Sequence, residues 1–592
     1  MMKKIMNGMI LIISMTILQC CSTDDPLSDM NNMSNGNSWT PTDPSQNSSS
    51  AASSATAGTG ELLTFDVAID QTTAEPAATA EAYYPEEEDN VANNSFTTVV
   101  NITFSGTTAT ADEVSGVSIT TDGAHVTADH GETKGICYVV SGSTTNGSLT
   151  IAGDKKYEVK LSGADITNPD STALNLLSKK RAFLVVEGNN QLTDGTTSKA
   201  DDQKGALYCK GKLLVSGNGS LAVYGNYNNA VHSADYIVVG QGVNLYAKST
   251  ANHGLKANDG IFINGGIVNV EVSAAAAKGI NSEADIIVSG GRTTVIATGG
   301  GAYEDGEAKG AAAIKCDSTY TQRGGVVLLK ATGAGGKGLK TDYEAYISGG
   351  TLHVCTSGGT YSSGGDTASP KGIKIGTKNV HGLLNISGGD VMVRTSGQGG
   401  EGIESKGTLT ISDGTVQVSA YDDAINSAGD MHILGGSITA VGRGSDGIDA
   451  NGNMYIEGGS VVAFGAGGAE SGIDTGEQYR LYITGGSVFA IGGRIDATYT
   501  ATTGSQPYAQ ATGGVSAGAT VTIADGSTTL ASFAMPPYSY SNGTIMVSAP
   551  GMTSGQSYTL NLGSASQSVT ASTSSASNGM GGMGGGMPGG RR

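Results

Sequence analysis

Residues 401–492 say one thing four times: EGIESKGTLTISDGTVQVS (401–419), DDAINSAGDMHILGGSITAVG (422–442), SDGIDANGNMYIEGGSVVAFG (445–465) and ESGIDTGEQYRLYITGGSVFAIG (470–492). Each frame carries an apolar anchor (Ile403, Ile425, Ile448, Ile473) and a short run such as MYI. A Gly-Gly or Asp-Gly corner and an alternating run of the VxV kind follow. The anchors fall 22, 23 and 25 residues apart. A fixed period in the twenties, with several short β-branched runs per repeat, is the mark of a solenoid, whose repeats bury their apolar faces only by stacking. Glycine corners and the lack of a helix-period stripe select strands over helices. The sequence therefore predicts an all-β fold, a right-handed, single-stranded parallel β-helix (β-solenoid) with capping strands at both ends.

Working outward, the same anchor recurs at Leu207, Val231, Leu255, Ile280, Ile314, Leu339 and Ile373. Two intervals stretch to 34 residues and one to 30, so extra loops are expected at 298–309, at 356–370 and near 395–400. Insertions of this kind often wall a binding surface. Regular coils are assigned to 201–496. Before them, 61–200 holds looser frames (FTTVVNITFSG, GSLTIAG, YEVKLSGADIT) and is read as irregular coils plus an N-terminal cap. The acidic run Glu86-Glu87-Glu88-Asp89 in this part reads as a solvated loop. After the coils, 497–570 is read as a C-terminal β cap and 571–592, rich in Ser, Gly and Met, as a disordered tail.

At the start of the chain, Lys3 and Lys4 precede an apolar run from Met9 to Leu18, which ends in Gln19-Cys20-Cys21. The run is too short for a stable membrane span, and the basic start makes 1–21 a secretory signal of the lipoprotein type, with lipid on Cys20 or Cys21. Ser22-Thr23-Asp24-Asp25 resembles the acidic tag that sends some Gram-negative lipoproteins to the cell surface. The expected location is the outer membrane, lipid-anchored and facing outward. Residues 22–60 have almost nothing to bury and read as a flexible tether, which also contains the single tryptophan, Trp39. A tryptophan platform for sugars is thus absent from the folded part.

The 592-residue chain has a formal charge of −20, which argues against nucleic acid as partner. Four cysteines follow the signal: Cys137, Cys209, Cys316 and Cys355. They sit in apolar runs too many coils apart to bridge, at roughly 4.8 Å per coil, and read as buried thiols.

Stacking the frames on their anchors exposes a charge pattern. One residue after the anchor the column runs Lys256, Asn281, Lys315, Lys340, Lys374, Glu404, Asn426, Asp449, Asp474. Two residues before it, the column runs His253, Lys278, Ala312, Lys337, Lys371, Glu401, Asp423, Asp446, Ser471. Residues 251–400 hold 13 Lys+Arg and 12 Asp+Glu, whereas 401–490 hold 3 and 12, so the edge is segregated by sign. Carboxylates about one coil apart repel unless a cation lies between them, and calcium, with oxygen ligands at about 2.3–2.6 Å, suits the gap. Asp422, Asp423, Asn426, Asp446, Asp449 and Asp474 are the candidate ligands, with Asn451 beside them; the alternative is that they are hydrated or cap turns. The lysines (Lys256, Lys278, Lys315, Lys337, Lys340, Lys371, Lys374) present the mirror problem and suit a uronate chain with one carboxylate per sugar. Their alternative is a solvated face, or pairing with Asp342 and Glu283. Tyr303, Tyr343, Tyr361 and Tyr421, near the edge and in the loops, are further stacking candidates.

The frames KGI, DDAINS and SDGIDANG, with YEVKLSGADITNPDSTALNLLSKKRAFLVVEGNNQLTDG at 157–195, resemble a family of carbohydrate-binding domain proteins. The resemblance extends over most of 60–570. It implies a pectate-lyase-like parallel β-helix that binds plant polysaccharides such as polygalacturonate and cellulose, with calcium in carboxylate sites. Asp422, Asp423, Asp446, Asp449 and Asp474 match its acidic frames; the lysines rest on the stacking argument alone. A lyase would also need a base, commonly Arg, and Arg394 is the best placed, with Arg443 and Arg480 in the acidic frames. No arginine recurs on the anchor edge, so the expected function is a non-catalytic, monomeric surface binder of acidic polysaccharide. A calcium-dependent lyase and a structural adhesin are the alternatives.

Overall fold

The computed structural model describes residues 59–60, 63–70, 72–199 and 203–574. All of these lie in the compact unit Ser53–Arg592. Cys20, Cys21, Trp39 and the acidic tag lie outside the described residues, as does the tail beyond 574.

The anchor strands form one sheet of 15, from Ser118–Asp122 to Ile473–Thr475. Leu207 pairs in parallel with Val231, which pairs with Leu255, and so on through Ile280, Ile314, Leu339, Ile373, Ile403, Ile425 and Ile448 to Ile473. Two further faces complete each coil. They join into a continuous 33-stranded sheet because strands such as Leu383–Thr395 and Thr408–Ala420 turn the corner unbroken and pair on both faces. The molecule is a parallel β-solenoid.

Alternation explains the core. Within Met454–Ile456 the two apolar ends are buried and Tyr455 is half-buried, and the same pattern holds in Met431–Ile433 and Leu481–Ile483. The second glycine of the Gly-Gly corner turns the chain between two faces, with φ of 81° at Gly436, 77° at Gly459 and 74° at Gly486, where a side chain would be strained. The glycine before the anchor has a different reason. A Cβ on Gly279, Gly338, Gly372 or Gly402 would lie 2.0–2.2 Å from the Cγ1 of Val295, Val354, Val393 or Val418 across the coil. The coil is thus too thin there for any side chain.

We expect Gly372→Ala to destabilise the stack by about 1–3 kcal/mol, because Val393 and the carbonyl of Gly402 must both give way. Gly300→Ala, where an added Cβ meets nothing within 4 Å, serves as the control. Equal melting temperatures for the two variants would contradict the packing account.

The stack starts earlier than the spacing of the frames conveys. Thr98–Ser105 pairs in parallel with Ile136–Thr144, and Ala124–Asp129 with Gly147–Ala152. The period wanders because two strands, Thr108–Ala111 and Ser118–Asp122, fold back antiparallel on their neighbours. These returns cover the end of the stack with short Thr-containing strands, a poor template for edge pairing. At the far end, Val488–Gly492 of the last coil pairs antiparallel with Tyr538–Ser548. The antiparallel strands from Tyr508 to Ser572 build a second core there, around Phe464, Phe489, Phe533 and Tyr540.

The two 34-residue intervals are hairpins, Ala302–Glu304 with Glu307–Lys309 and Tyr361–Ser363 with Asp366–Ala368. The third extra loop is not near 395–400. It lies at 376–382, on the opposite corner, where Thr377 and Val380 form an isolated bridge. Residues 396–400 make an ordinary corner between a third-face strand and the strand Glu401–Ser405.

The acidic run at 86–89 is only partly the solvated loop expected: Glu86, Glu87 and Glu88 are exposed, but Asp89 is buried. It belongs to a strap that runs outside the stack from the C-terminal cap, where Thr59 pairs with Ser539, back toward the first coils. Asp66 meets Lys330 at 2.8 Å; Glu75 accepts from the amides of Gly242 and Gly266. Asp89 is buried and binds Arg181 at 2.8 Å and the Tyr236 hydroxyl at 2.6 Å. Tyr83, Tyr84, Val91 and Phe96 cover an outward apolar column of Phe183, Leu214, Val238, Phe262 and Ile287. Among the described residues no helix is long and apolar enough to cross a membrane.

Candidate functional site

Parallel register makes the column after the anchor a physical row. Asn175 stands over Tyr208, then His232, Lys256, Asn281, Lys315, Lys340, Lys374, Glu404, Asn426, Asp449 and Asp474, one per coil. Every member points away from the apolar core, so the row is polar from end to end. The column before the anchor is equally in register from Lys278 through Ala312, Lys337 and Lys371 to Glu401. The structure therefore brings both predicted charge columns together on one sheet.

It does not leave the lysines bare. Lys256 meets Glu283 at 2.5 Å, Lys340 meets Asp342 at 3.2 Å, and Lys315 bonds to Asp317 and lies 3.3 Å from Asp342. Lys371 and Lys374 meet the carboxylates of the next coil, Glu401 at 2.5 Å and Glu404 at 3.1 Å. Only Lys278 and Lys337 rely on carbonyls, those of Ala276 and Gly335. Lys337 and Lys371 are also buried, so neither offers its ammonium at the surface. Burial, with Lys374, Lys340 and Lys371 close by, pulls the Lys337 ammonium down to about 7. Pairing with Glu283 and Asp342 is the alternative named above, and Glu401 and Glu404 belong to the same columns; the partner the frames did not show is Asp317, which lies outside them.

Where the two signs meet, the charges form one buried group. Glu404, 4% exposed, lies among Lys371, Lys374 and Lys406, with Lys406 at 2.5 Å. Burial pushes its pKa up, but the three ammoniums outweigh it and hold the carboxyl well below the usual range. Glu401 goes the other way: burial and the charge of Glu404 raise it, against the pull of Lys371.

The carboxylate half differs. Asp423 and Asp446 stand at the corner before the anchor, and each accepts the backbone N–H of the corner residue one coil on: Asp446 at 3.0 Å and Ser471 at 2.5 Å. Asn426 donates to Asp423, and Asn451 to Asp449. Turn capping is thus one of their roles. It does not neutralise them. Burial, then Asp423, Asp474 and Asp449 nearby, pushes Asp446 up to about 9. Burial with Asp423 and Asp474 pushes Asp449 to about 8, and burial with Asp496 pushes Asp474 to about 6. Burial raises Asp422 as well, helped by Asp423. These hard oxygens fit calcium in kind. Among the described residues, however, no three His, Cys, Asp or Glu side chains are gathered into a ready-made metal cage.

The candidate base is on another face. Arg394 pairs in register with Cys355 and Ser419 on the third face, and its guanidinium lies 3.9 Å from the Cys355 sulfur. Arg443 and Arg480 sit at corners, bonded to backbone carbonyls. All four described cysteines are free and buried, as expected.

Sequence reading missed the middle residues of MHI, MYI and LYI. His432, Tyr455 and Tyr482 stack on successive coils with centroids 4.7 and 5.0 Å apart and planes within 8° and 11°. Both faces of Tyr455 are spent on its neighbours, so the stack stiffens the coils. Of the loop tyrosines, Tyr303, Tyr343 and Tyr421 are exposed, and Tyr303 packs against Gly364 of the neighbouring hairpin.

A family model described as carbohydrate-binding domain-containing protein matches the chain at 118–273, 238–442 and 382–549. A carbohydrate-binding domain-containing protein of Acetivibrio thermocellus is 28% identical over 157 residues, 25% of this chain. The match spans about half, 52%, of that relative's length. Among solved structures, a polysaccharide lyase-like protein from C. thermocellum, in a gadolinium derivative, aligns with 49% of this chain and 99% of its own. That alignment has 20% identity and a TM-score of 0.32.

Proposed function

Because the chain belongs to the family of carbohydrate-binding domain-containing proteins, we propose that it binds an acidic polysaccharide of the polygalacturonate type along the anchor sheet, without cleaving it. The observation that carries this reading is the unbroken outward polar row from Asn175 to Asp474, one side chain per coil. A row with a repeat of about 4.8 Å offers a long chain many weak contacts that reinforce one another. Lys256, Lys315, Lys340 and Lys374 are its accessible cations, and a uronate carboxylate would compete for them with Glu283, Asp342 and Glu404. Calcium, held by Asp446, Asp449 and Asp474 with Asp422, Asp423 and Asn426 beside them, would neutralise the carboxylate half. The proposed setting is the outside of a cell, with lipid on Cys20 or Cys21. Neutral cellulose is a second ligand to test.

Affinity for polygalacturonate should fall steeply with added salt, since exposed charges are screened over about 8 Å at physiological ionic strength. Lys315→Gln with Lys340→Gln should weaken binding about tenfold, two contacts of under 1 kcal/mol each. Unsaturated sugar released in the same assay would instead establish the lyase. Unchanged affinity in the double variant would remove the lysines from the site.

A further inference from the structure

The first coils of the anchor sheet carry a cleft that the charged columns do not reach. It is an open depression of about 300 Å³, at the small end of ligand-binding pockets. Its floor is the sheet itself: His125 lies in register with Ser148, and Thr150 with Asn175. One wall is the 168–172 loop, which joins Tyr157–Asn168 to Leu174–Leu176, and the other comes from Lys199.

The lining residues are all of polar type, and their carbon atoms face the cleft along with their polar groups. The wall is held in place from within: Asn168, itself buried, donates to the Thr172 carbonyl and accepts from the Asp170 amide. Lys199 binds Asp170 at 2.7 Å and donates its own amide to the Asp170 carbonyl. The floor is not saturated. His125 meets the Ser148 hydroxyl through Nδ1 at 3.0 Å, while the side chains of Thr150, Ser171 and Asn175 make no hydrogen bond among the described residues. Thr150, Ser171 and Asn175 are half-buried, so these donors and acceptors remain reachable from the cleft.

A ligand suited to this lining must carry many closely spaced groups that both donate and accept. Hydroxyls on neighbouring carbons of a sugar ring do so, and the amide of Asn175, the hydroxyls of Thr150 and Ser171 and the Lys199–Asp170 pair offer the complementary set. The cleft offers a single lysine, paired with Asp170, and no arginine, so hydroxyls rather than a row of carboxylates match it. Asn175 is also the first member of the polar row described above, so a chain lying on the row enters the cleft without changing direction.

We infer that this cleft is a subsite for a neutral pyranose unit of the bound polysaccharide, held through its hydroxyls. This rests on the polysaccharide-binding reading above. The test is saturation-transfer NMR on the full chain with cellohexaose and mannohexaose as probes, beside polygalacturonate affinity. Two variants are compared: Ser171→Trp, which fills the cleft from the loop without touching the sheet, and Thr150→Val, which removes a floor hydroxyl. At least one neutral hexasaccharide should give transfer to the parent. Both variants should lose it by about tenfold or more in affinity, with unchanged melting and polygalacturonate affinity altered less than about threefold. No transfer to the parent from either hexasaccharide, or equal transfer to parent and Ser171→Trp, overturns the subsite. Loss of polygalacturonate binding by the parent itself would instead overturn the broader reading.

Discussion

Replacing Lys371 by Met should be among the most damaging single changes in the stack, costing about 3–5 kcal/mol, because it removes one partner from a buried charge group. Lys371 is 6% exposed and binds Glu401 at 2.5 Å, with Glu404 at 3.6 Å. Burial alone would favour its neutral form, but the two carboxylates hold its ammonium well above the ordinary value. Without it, Glu401 has lost its closest cation and must stay buried and charged, or take up a proton. Adding Glu401→Leu to the variant should recover much of the loss, since a matched apolar pair replaces a buried ion pair at little net cost. A solenoid loosens coil by coil, so the local readout is amide exchange of 371–405 beside the melting temperature. If the single variant melts like the parent, the pair is not buried as described. The sign with pH also follows. Glu404 is depressed, so its contribution is present above the ordinary glutamate value of 4.5 and is lost as the pH falls below it.

The acidic coils should show the opposite pH response, and calcium should erase it. Asp446 and Asp449 are raised from 3.8 to about 9 and about 8, mainly by burial. A raised carboxyl holds its proton in the folded state, so its stability is complete below 3.8 and drains away as pH climbs toward the folded value. In chelator, the melting temperature should therefore fall from pH 5 to pH 8. One retained proton is worth ~1.4 kcal/mol per pH unit, so the two groups together cost on the order of several kcal/mol across that window. Bound calcium would replace the protons, and its addition at pH 8 should restore the melting temperature as any ligand of the folded state does. Asp446→Asn with Asp449→Asn should flatten the profile and abolish the calcium response. A chelator profile that is flat in the parent would refute the cluster, and a calcium response surviving in the double variant would place the ion elsewhere.

The two charge columns were legible before any coordinates. A parallel stack in register turns a repeated sequence position into a row, so aligning Ile403, Ile425, Ile448 and Ile473 was enough to place Lys374 over Glu404 and Asp449 over Asp474. The extra loops at 298–309 and 356–370 followed from the same period, and the buried cysteines from their apolar runs; that the loops are hairpins did not. What each charge touches was legible only in part: pairing of the lysines with Glu283 and Asp342 was an open alternative to the ligand reading. Asp317 and Lys406 stand outside the repeated columns, and the strap residues Asp66, Glu75 and Asp89 meet partners 92 to 264 positions away. Nothing periodic announces such contacts. Nor can the period tell which corner a longer coil uses, so the extra loop expected near 395–400 lies instead at 376–382. The cleft over His125, Thr150 and Asn175 was hidden for the same reason, because its far wall is the 168–172 loop and Lys199. The repeat by itself determined the solenoid and which residues share a face, since stacking propagates a local pattern along one axis. Burial, pairing and cavities belong to the corners and the strap, where the chain leaves the repeat and only the folded arrangement decides which groups meet.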